Sequence, residues 1–135
     1  MATVVFFHAH PDDESLSTAG TMALLAEAGH RVVLVVATRG EEGEVAPGVL
    51  TDGEALGDRR TAELHTAADL LGTARVEFLD YRDSGMADSP TNNNPDCFWQ
   101  ASVDQAVERL GVILSNEQTD LLVVYDQNGG YGHPD

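Results

Sequence analysis

The architecture of this chain is set near its start by Val4-Val5-Phe6-Phe7-His8-Ala9-His10-Pro11-Asp12-Asp13-Glu14. The first four residues form an apolar, partly β-branched run, which is typical of a strand buried on both faces of a parallel sheet. Two histidines, a proline and three acidic residues follow without a break. The sequence therefore predicts a buried first strand whose carboxyl end carries ionisable side chains.

Three further apolar runs alternate with helical patterns along the chain. The runs are Val32 to Ala37, Val76 to Leu79 and Leu121 to Tyr125. Each helical pattern has an apolar stripe at helical spacing, and the three stripes are Leu16, Ala19, Ala23 and Ala26; Leu64, Ala67, Ala68 and Leu71; and Val103, Val107, Leu110 and Leu114. The order β-α-β-α-β-α-β predicts a Rossmann-like α/β fold, with a mostly parallel sheet and helices on both faces. We expect one domain over residues 1–135.

The charge of the chain excludes several classes of partner. Acidic residues outnumber basic residues 23 to 7, and the formal net charge is −16. Such a surface repels phosphate backbones and anionic lipids, so the sequence argues against nucleic acid and membrane as partners and favours cations. Cys97 is the only cysteine, and Met1-Ala2-Thr3 lacks the basic start of a signal peptide. We therefore expect a cytoplasmic location.

Two long connections follow predicted strands. One runs from Thr38 to about Asp58 and the other from Asp80 to about Trp99. Connections that follow parallel strands lie at the carboxyl edge of the sheet, where open α/β sheets bind ligands. Long loops at that edge are usually functional.

The turn after the first strand favours a metal site. His10 and Asp13 are three residues apart around Pro11, so an imidazole and a carboxylate can converge on one ion. Nitrogen with carboxylate oxygen suits zinc or another first-row divalent ion. Asp12 would then project toward a bound water. In the alternative interpretation, Asp12, Asp13 and Ser15 merely cap the next helix, which leaves the His-Pro pair unexplained.

The end of the chain carries a second group of functional side chains. The fourth predicted strand leads into Asp126-Gln127-Asn128-Gly129-Gly130-Tyr131-Gly132-His133-Pro134-Asp135. In a doubly wound sheet this strand commonly lies beside the first strand. That topology would place His133 and Tyr131 opposite His10 and Asp13.

Five segments of the chain form a recognisable set of motifs. They are His10-Pro11-Asp12-Asp13-Glu14, Thr38-Arg39-Gly40-Glu41-Glu42-Gly43, Arg60 with Glu63, Tyr81-Arg82-Asp83-Ser84-Gly85-Met86 and Asn128-Gly129-Gly130-Tyr131-Gly132-His133-Pro134-Asp135. Together they resemble a known family, the PIG-L/LmbE-like zinc de-N-acetylases. The resemblance is greatest to the actinobacterial branch, which includes the N-acetylglucosaminyl-inositol deacetylase of mycothiol biosynthesis. It runs over nearly the whole chain.

The resemblance implies a metal centre and a base. His10 and Asp13 match the first two metal ligands of the family, and Asp12 matches its general base. The third ligand of the family would directly follow Asp135, so residues 1–135 supply only two of the three metal ligands and we expect them to be inactive alone. They match the N-terminal part of the family fold. The implied cofactor is Zn²⁺, with Fe²⁺ as an alternative.

The resemblance also implies roles around the substrate. His133 matches the residue that stabilises the oxyanion or protonates the leaving amine, and Asp135 matches the carboxylate that orients it. Tyr131 matches a tyrosine that polarises the substrate carbonyl. Arg60 and Asp83 match positions that hold the sugar and the inositol.

The expected function is therefore zinc-dependent hydrolysis of the N-acetyl group of an N-acetylglucosaminide. Alternatives within the family are a mycothiol-conjugate amidase and a deacetylase of another glycoside. Alternatives of other classes are a metal-free, non-catalytic scaffold and a magnesium phosphohydrolase that uses Asp12 and Asp13 and gives His133 no role. The sequence assigns no role to His8 or to the acidic loop over residues 41–44.

Overall fold

The fold is built on one parallel sheet. The computed structural model describes residues 1–135, and the strands are β1 (Thr3–His8), β2 (Arg31–Val36), β3 (Arg75–Phe78) and β4 (Leu121–Val123). Their order across the sheet is β3-β2-β1-β4, and every neighbouring pair is parallel. Val4 of β1 lies opposite Val32 on one side and Leu121 on the other. The predicted α/β fold class is confirmed, and β4 lies beside β1 as expected.

Five α-helices connect or follow the strands. They are α1 (Asp13–Ser17), α2 (Ala19–Glu27), α3 (Leu56–Leu70), α4 (Val103–Asn116) and α5 (Gly129–Gly132), and short 3₁₀ segments cover Pro90–Asn93 and Phe98–Gln100. The side chain of Ser102 caps α4 by accepting the backbone N–H of Gln105. The longest helix has 15 residues, and none has both the length and the apolarity needed to cross a bilayer.

The core has two layers because alternate residues of a strand face opposite sides of the sheet. On one face, α2 and α3 cover the strands, and the buried cluster is Val4, Phe6, Met22, Val32, Leu34, Val36 and Leu64. On the other face, α4 packs through partly buried side chains onto the buried cluster Val5, Val33, Val35, Leu79 and Tyr81. Helices therefore cover both faces, as predicted.

Two helical patterns differ from the prediction. The first predicted helix is broken at Thr18 into α1 and α2, so Leu16 is 82% exposed and does not share the buried stripe. In α4, Val103 and Val107 are exposed, because the helix turns Leu110 and its neighbours Ala106, Ile113 and Leu114 toward the sheet. The apolar residues of α4 extend around more than one face, so hydrophobicity alone did not define the packed side.

The strands all run in the same direction, so the loops that follow them meet at one edge. The fourth strand is shorter than predicted and ends at Val123. Leu121 is half-exposed because β4 is an edge strand. The segments after β1, β2, β3 and β4 together form the carboxyl edge of the sheet, which contains the candidate site.

Candidate functional site

The turn after β1 is held by its own acidic side chains. The carboxylate of Asp13 accepts the backbone N–H of His10 at 2.9 Å, and Glu14, which is almost fully buried, accepts that of Asp12 at 3.0 Å. Asp12 has a left-handed backbone with φ of 105°, which is a strained conformation for a residue other than glycine. Its own side chain caps nothing and is 61% exposed. Helix capping therefore does not explain Asp12.

The buried imidazole of His10 lies among three carboxylates. Its Nε2 is 3.0 Å from Asp135 and 3.4 Å from Asp83, and its Nδ1 is 3.5 Å from Asp13. Burial alone would lower the pKa of His10, but the hydrogen bonds with these carboxylates raise it to about 11. The three carboxylates around His10 thus create a position that strongly attracts a cation.

The same surroundings keep the carboxylates ionised. Burial would raise the pKa of Asp13, but hydrogen bonds from His10 and Tyr125 lower it to about 2. The pKa of Asp83 is also lowered, because hydrogen bonds from His10 and from the backbone of Gly85 outweigh its burial. Ionised carboxylates of this kind are ready to bind a metal ion.

The residues present fit a divalent metal. Two ligand atoms at about 2.0–2.1 Å from a tetrahedral ion are about 3.4 Å apart, and His10 Nδ1 lies 3.5 Å from an oxygen of Asp13. Metal-bound histidines usually donate their other ring N–H to a carboxylate, and His10 Nε2 faces Asp135 and Asp83. A small cavity of about 10 Å³ borders both His10 and Asp13.

A second donor set shares the same imidazole. Donor atoms of His10, Asp83, His133 and Asp135 all lie within 4.8 Å of one another. The two sets lie on opposite ring nitrogens of His10, because Asp13 is near Nδ1 whereas Asp83 and Asp135 are near Nε2. Neither the spacing nor the small cavity distinguishes the two sets, because His10 Nε2 is 3.4 Å from Asp83 and the cavity also borders Asp135. Placement of the ion between His10 and Asp13 stays a prediction from the family motif, and Asp135 and Asp83 would then accept the Nε2 proton.

His133 lies against His10 at the edge of the cleft. The two rings are 4.4 Å apart between centroids in an edge-to-face arrangement. Burial and the positive charge of His10 lower the pKa of His133. Its Nδ1 accepts the backbone N–H of Asp135 at 3.1 Å, so in the neutral ring Nε2 carries the proton. His133 can therefore donate a hydrogen bond through Nε2.

Asp135 has different partners from those that its expected role suggests. Its carboxylate accepts the backbone N–H of Ser84 at 3.0 Å and the hydroxyl of the same residue, and it contacts His10. The carboxylate is 4.0 Å from His133 Nδ1, so the main chain of Asp135, not its side chain, bonds to that ring. Orientation of His133 by this carboxylate stays a prediction.

Arg60 of α3 ties the first two loops together. Its guanidinium donates to the carbonyl of Gly40 at 2.8 Å and to the carbonyl of Pro11, and it lies 3.1 Å from the carboxylate of Asp12. Gly40 has φ of +66°, and a Cβ there would lie 2.1 Å from the guanidinium. Arg60 therefore positions Asp12, whereas its expected contact with a sugar stays a prediction.

The large cleft at this edge contains most of the predicted site residues. Its volume is about 640 Å³, within the range of pockets for small molecules. The predicted site residues in its wall are His10, Asp12, Arg60, Asp83, Tyr131 and His133. Asp13 and Asp135 lie behind this wall, on the small cavity beside His10. The structure thus brings all eight predicted residues to one place.

Sequence reasoning missed several residues that support this site. The ring of His8 is hydrogen-bonded to the hydroxyl of Tyr125, which in turn donates to the carboxylate of Asp13. The backbone N–H of Ser84 donates to the carboxylate of Asp135. Glu41 and Glu42 bond to the loop of Asp83 and Arg82. The positions of His8 and Tyr125 at the ends of adjacent strands were the only available sign, and the loop contacts left no trace in local patterns.

Comparison with known proteins shows the class to which this fold and site belong. The family model described as PIG-L, GlcNAc-PI de-N-acetylase, matches residues 5–135. The chain therefore belongs to this de-N-acetylase family, as the motifs predicted.

Particular relatives sharpen this assignment. The chain is 48% identical to a protein of Thermobifida fusca named 1D-myo-inositol 2-acetamido-2-deoxy-alpha-D-glucopyranoside deacetylase, over 98% of this chain and 49% of the relative. A protein of the same name from Thermobispora bispora is 46% identical, over 98% of this chain and 47% of the relative. The chain spans about half the length of the curated relatives it matches.

The fold is also that of a solved deacetylase. N,N'-diacetylchitobiose deacetylase of Pyrococcus horikoshii superposes with a TM-score of 0.69 at 28% identity, over 89% of this chain and 39% of that chain.

Proposed function

We propose that the full-length protein hydrolyses the N-acetyl group of an N-acetylglucosaminide, with N-acetylglucosaminyl-inositol in mycothiol biosynthesis as the substrate. The observation that carries the proposal is the placement of His10 between Asp13 on one ring nitrogen and Asp135 on the other, at the wall of the large cleft. The names of the relatives supply the substrate class.

His10 and Asp13 would hold the ion. A mixed nitrogen and oxygen donor set favours zinc, with Fe²⁺ as the alternative. When bound, zinc supplies Lewis acidity toward the acyl carbonyl and the water nucleophile. The buried carboxylates of Asp135 and Asp83 would keep the imidazole of His10 in one orientation through its Nε2.

Asp12 acts as the general base in this proposal. Burial and the neighbouring carboxylates of Asp13 and Glu14 raise the pKa of Asp12, while Arg60 opposes the rise. A carboxylate with a raised pKa accepts a proton from water more readily. The contact with Arg60 at 3.1 Å and the left-handed backbone keep this carboxylate at the cleft wall.

His133 and Tyr131 act on the acyl group and the leaving amine. The Nε2 proton of His133 is available to stabilise the developing oxyanion or to protonate the amine as the C–N bond breaks. Tyr131 is 67% exposed at the cleft wall, where its hydroxyl can donate to the substrate carbonyl. Asp135 supports this arrangement through its backbone contact with His133.

The cleft suits an uncharged, hydroxyl-rich ligand. Acidic side chains at its wall include Glu42, Glu44 and Glu63, which would repel a phosphorylated ligand. This charge argues against the phosphohydrolase alternative and favours a neutral glycoside. Arg60 and Asp83 are the proposed contacts to sugar and inositol hydroxyls.

The same negative charge supports the absence of nucleic acid and membrane as partners, and we propose a cytoplasmic location.

Assays of the purified full-length protein test this function. We expect acetate release from N-acetylglucosaminyl-inositol, near-stoichiometric zinc, and loss of both in His10→Ala. His65→Ala is the matched control, since His65 is an exposed residue of α3 outside the cleft wall.

Other outcomes would contradict the proposal in distinct ways. Amine release from mycothiol conjugates without acetate release would favour the amidase, and acetate release only from other N-acetylglucosaminides would change the substrate. A wild-type protein without metal or hydrolase activity would favour the scaffold.

A further inference from the structure

Tyr125 lies beside the predicted metal ligand Asp13 but belongs to none of the motifs that suggested the site. It comes two residues after β4 and is partly buried next to the end of β1. Its hydroxyl donates to the Oδ2 atom of Asp13 at 2.7 Å. The same Oδ2 accepts the backbone N–H of His10 at 2.9 Å. Two donors from different segments therefore fix the rotation of one carboxylate.

The Tyr125 hydroxyl is itself held from the other side. Its single proton points to Asp13, so its oxygen must act as acceptor in its remaining contacts. These contacts are the backbone N–H of Ala9 at 3.3 Å and Nδ1 of His8 at 3.0 Å. His8 therefore donates from Nδ1, and the rings of His8 and Tyr125 pack edge to face with centroids 5.3 Å apart.

The series continues to the break between α1 and α2. His8 Nε2 lies 2.9 Å from the hydroxyl of Thr18, the residue at which the first predicted helix is interrupted. His8 is buried and lines no wall of the large cleft, so it cannot meet a substrate there. The buried histidine thus bonds Tyr125 through one ring nitrogen and Thr18 through the other, and so fixes Tyr125 relative to the break between α1 and α2.

We propose that Tyr125, held by His8, is the positioning residue that orients the Asp13 carboxylate for the divalent ion. The inference rests on the proposed function, because it assumes that Asp13 is a metal ligand. Hydrogen-bond partners of metal ligands typically contribute 10- to 100-fold to metal affinity. Tyr125 and His8 would contribute in this way without touching substrate.

The test is the zinc dissociation constant of the full-length protein, measured by competition with a chromophoric chelator. Tyr125→Phe removes one oxygen atom, and we expect a 10- to 100-fold weaker zinc affinity. Tyr81→Phe is the matched control, because Tyr81 is buried and its hydroxyl has no hydrogen-bond partner. The zinc affinity of the Tyr81→Phe variant should equal that of the wild type.

A double-mutant cycle separates positioning from general loss of structure. His8→Ala alone should weaken zinc binding, but added to Tyr125→Phe it should cause no further loss, because His8 acts through the hydroxyl that is already absent. A general loss of folding stability, measured by thermal unfolding of metal-free protein, would instead be larger in the double variant than in Tyr125→Phe.

Distinct results would overturn distinct statements. Wild-type zinc affinity in a folded Tyr125→Phe variant would overturn the positioning role while leaving the proposed function intact. If Tyr125→Phe does not fold, an undiminished zinc affinity in His8→Ala would overturn it instead. Absence of zinc binding in the wild-type protein would overturn the proposed function itself.

Discussion

The amino and carboxyl edges of the sheet differ in how their acidic side chains are paired with basic ones. At the amino edge, the buried carboxylate of Glu117 is bonded by Arg31 and Arg75, each at 2.7 Å. At the carboxyl edge, Asp13, Asp83 and Asp135 surround the single imidazole of His10. At the amino edge two basic groups thus share one carboxylate, whereas at the carboxyl edge three carboxylates share one basic group.

This difference separates groups that hold the fold from groups that await a ligand. The charges at the amino edge satisfy one another, so they need nothing from solution. The surplus of carboxylates around His10 is stable only with a cation among them, either the proton on the imidazole or a divalent ion. Both edges carry shifted pKa values, but only the carboxyl edge combines them with a surplus of carboxylates, and this combination indicates the functional edge.

The largest effect is expected from a change at the carboxyl edge. Asp12→Asn removes the proposed base, and we expect kcat to fall by about 10²–10⁴-fold. Asparagine tolerates the left-handed backbone of Asp12, so folding and zinc content should be kept. Acetate release and metal analysis of the full-length protein measure both. A kcat within a few fold of the wild type would show that Asp12 is not the base.

A moderate effect is expected from a change at the amino edge. Glu117→Gln removes the charge that Arg31 and Arg75 share, and we expect the free energy of unfolding to fall by about 1 kcal/mol, since both guanidiniums are partly solvated. Urea unfolding measures this change. Zinc affinity should be unaltered, and a large change in it would break the separation between the two edges.

The remaining effect concerns the pH dependence of folding stability. The hydrogen bond from Arg31 lowers the pKa of Glu117, so its contribution to stability is present above its ordinary pKa and is lost as pH falls. In metal-free protein, the raised pKa of His10 has the opposite sign: its contribution is full below about 6.5 and is lost as pH rises toward about 11.

Urea unfolding of metal-free protein across pH would show this opposition. The stability difference between wild type and Glu117→Gln should shrink below about pH 4.5, and that between wild type and His10→Ala should shrink above about pH 6.5. Two differences that change with pH in the same direction would contradict the comparison.

The sequence predicted the sheet and the position of the site because both depend on simple geometry. Buried parallel strands read as apolar runs, and residues after adjacent strands must meet, which brought His10 and His133 together as expected. The break at Thr18 was missed because it is accompanied by a contact to His8 rather than by a helix-breaking residue. The partner of Asp135, Ser84, depends on the path of a long loop, which periodicity does not describe.

Gly40 has a consequence for any reading of mutational data on this protein. It carries no chemical group, yet a side chain there would collide with the guanidinium of Arg60, which holds Asp12 and the carbonyl of Pro11. A loss of turnover after substitution at Gly40 would therefore indicate displacement of Asp12, the proposed base, and not a role of Gly40 in the reaction. A glycine of the second loop thus leaves the room that the guanidinium of Arg60 needs to contact the first loop.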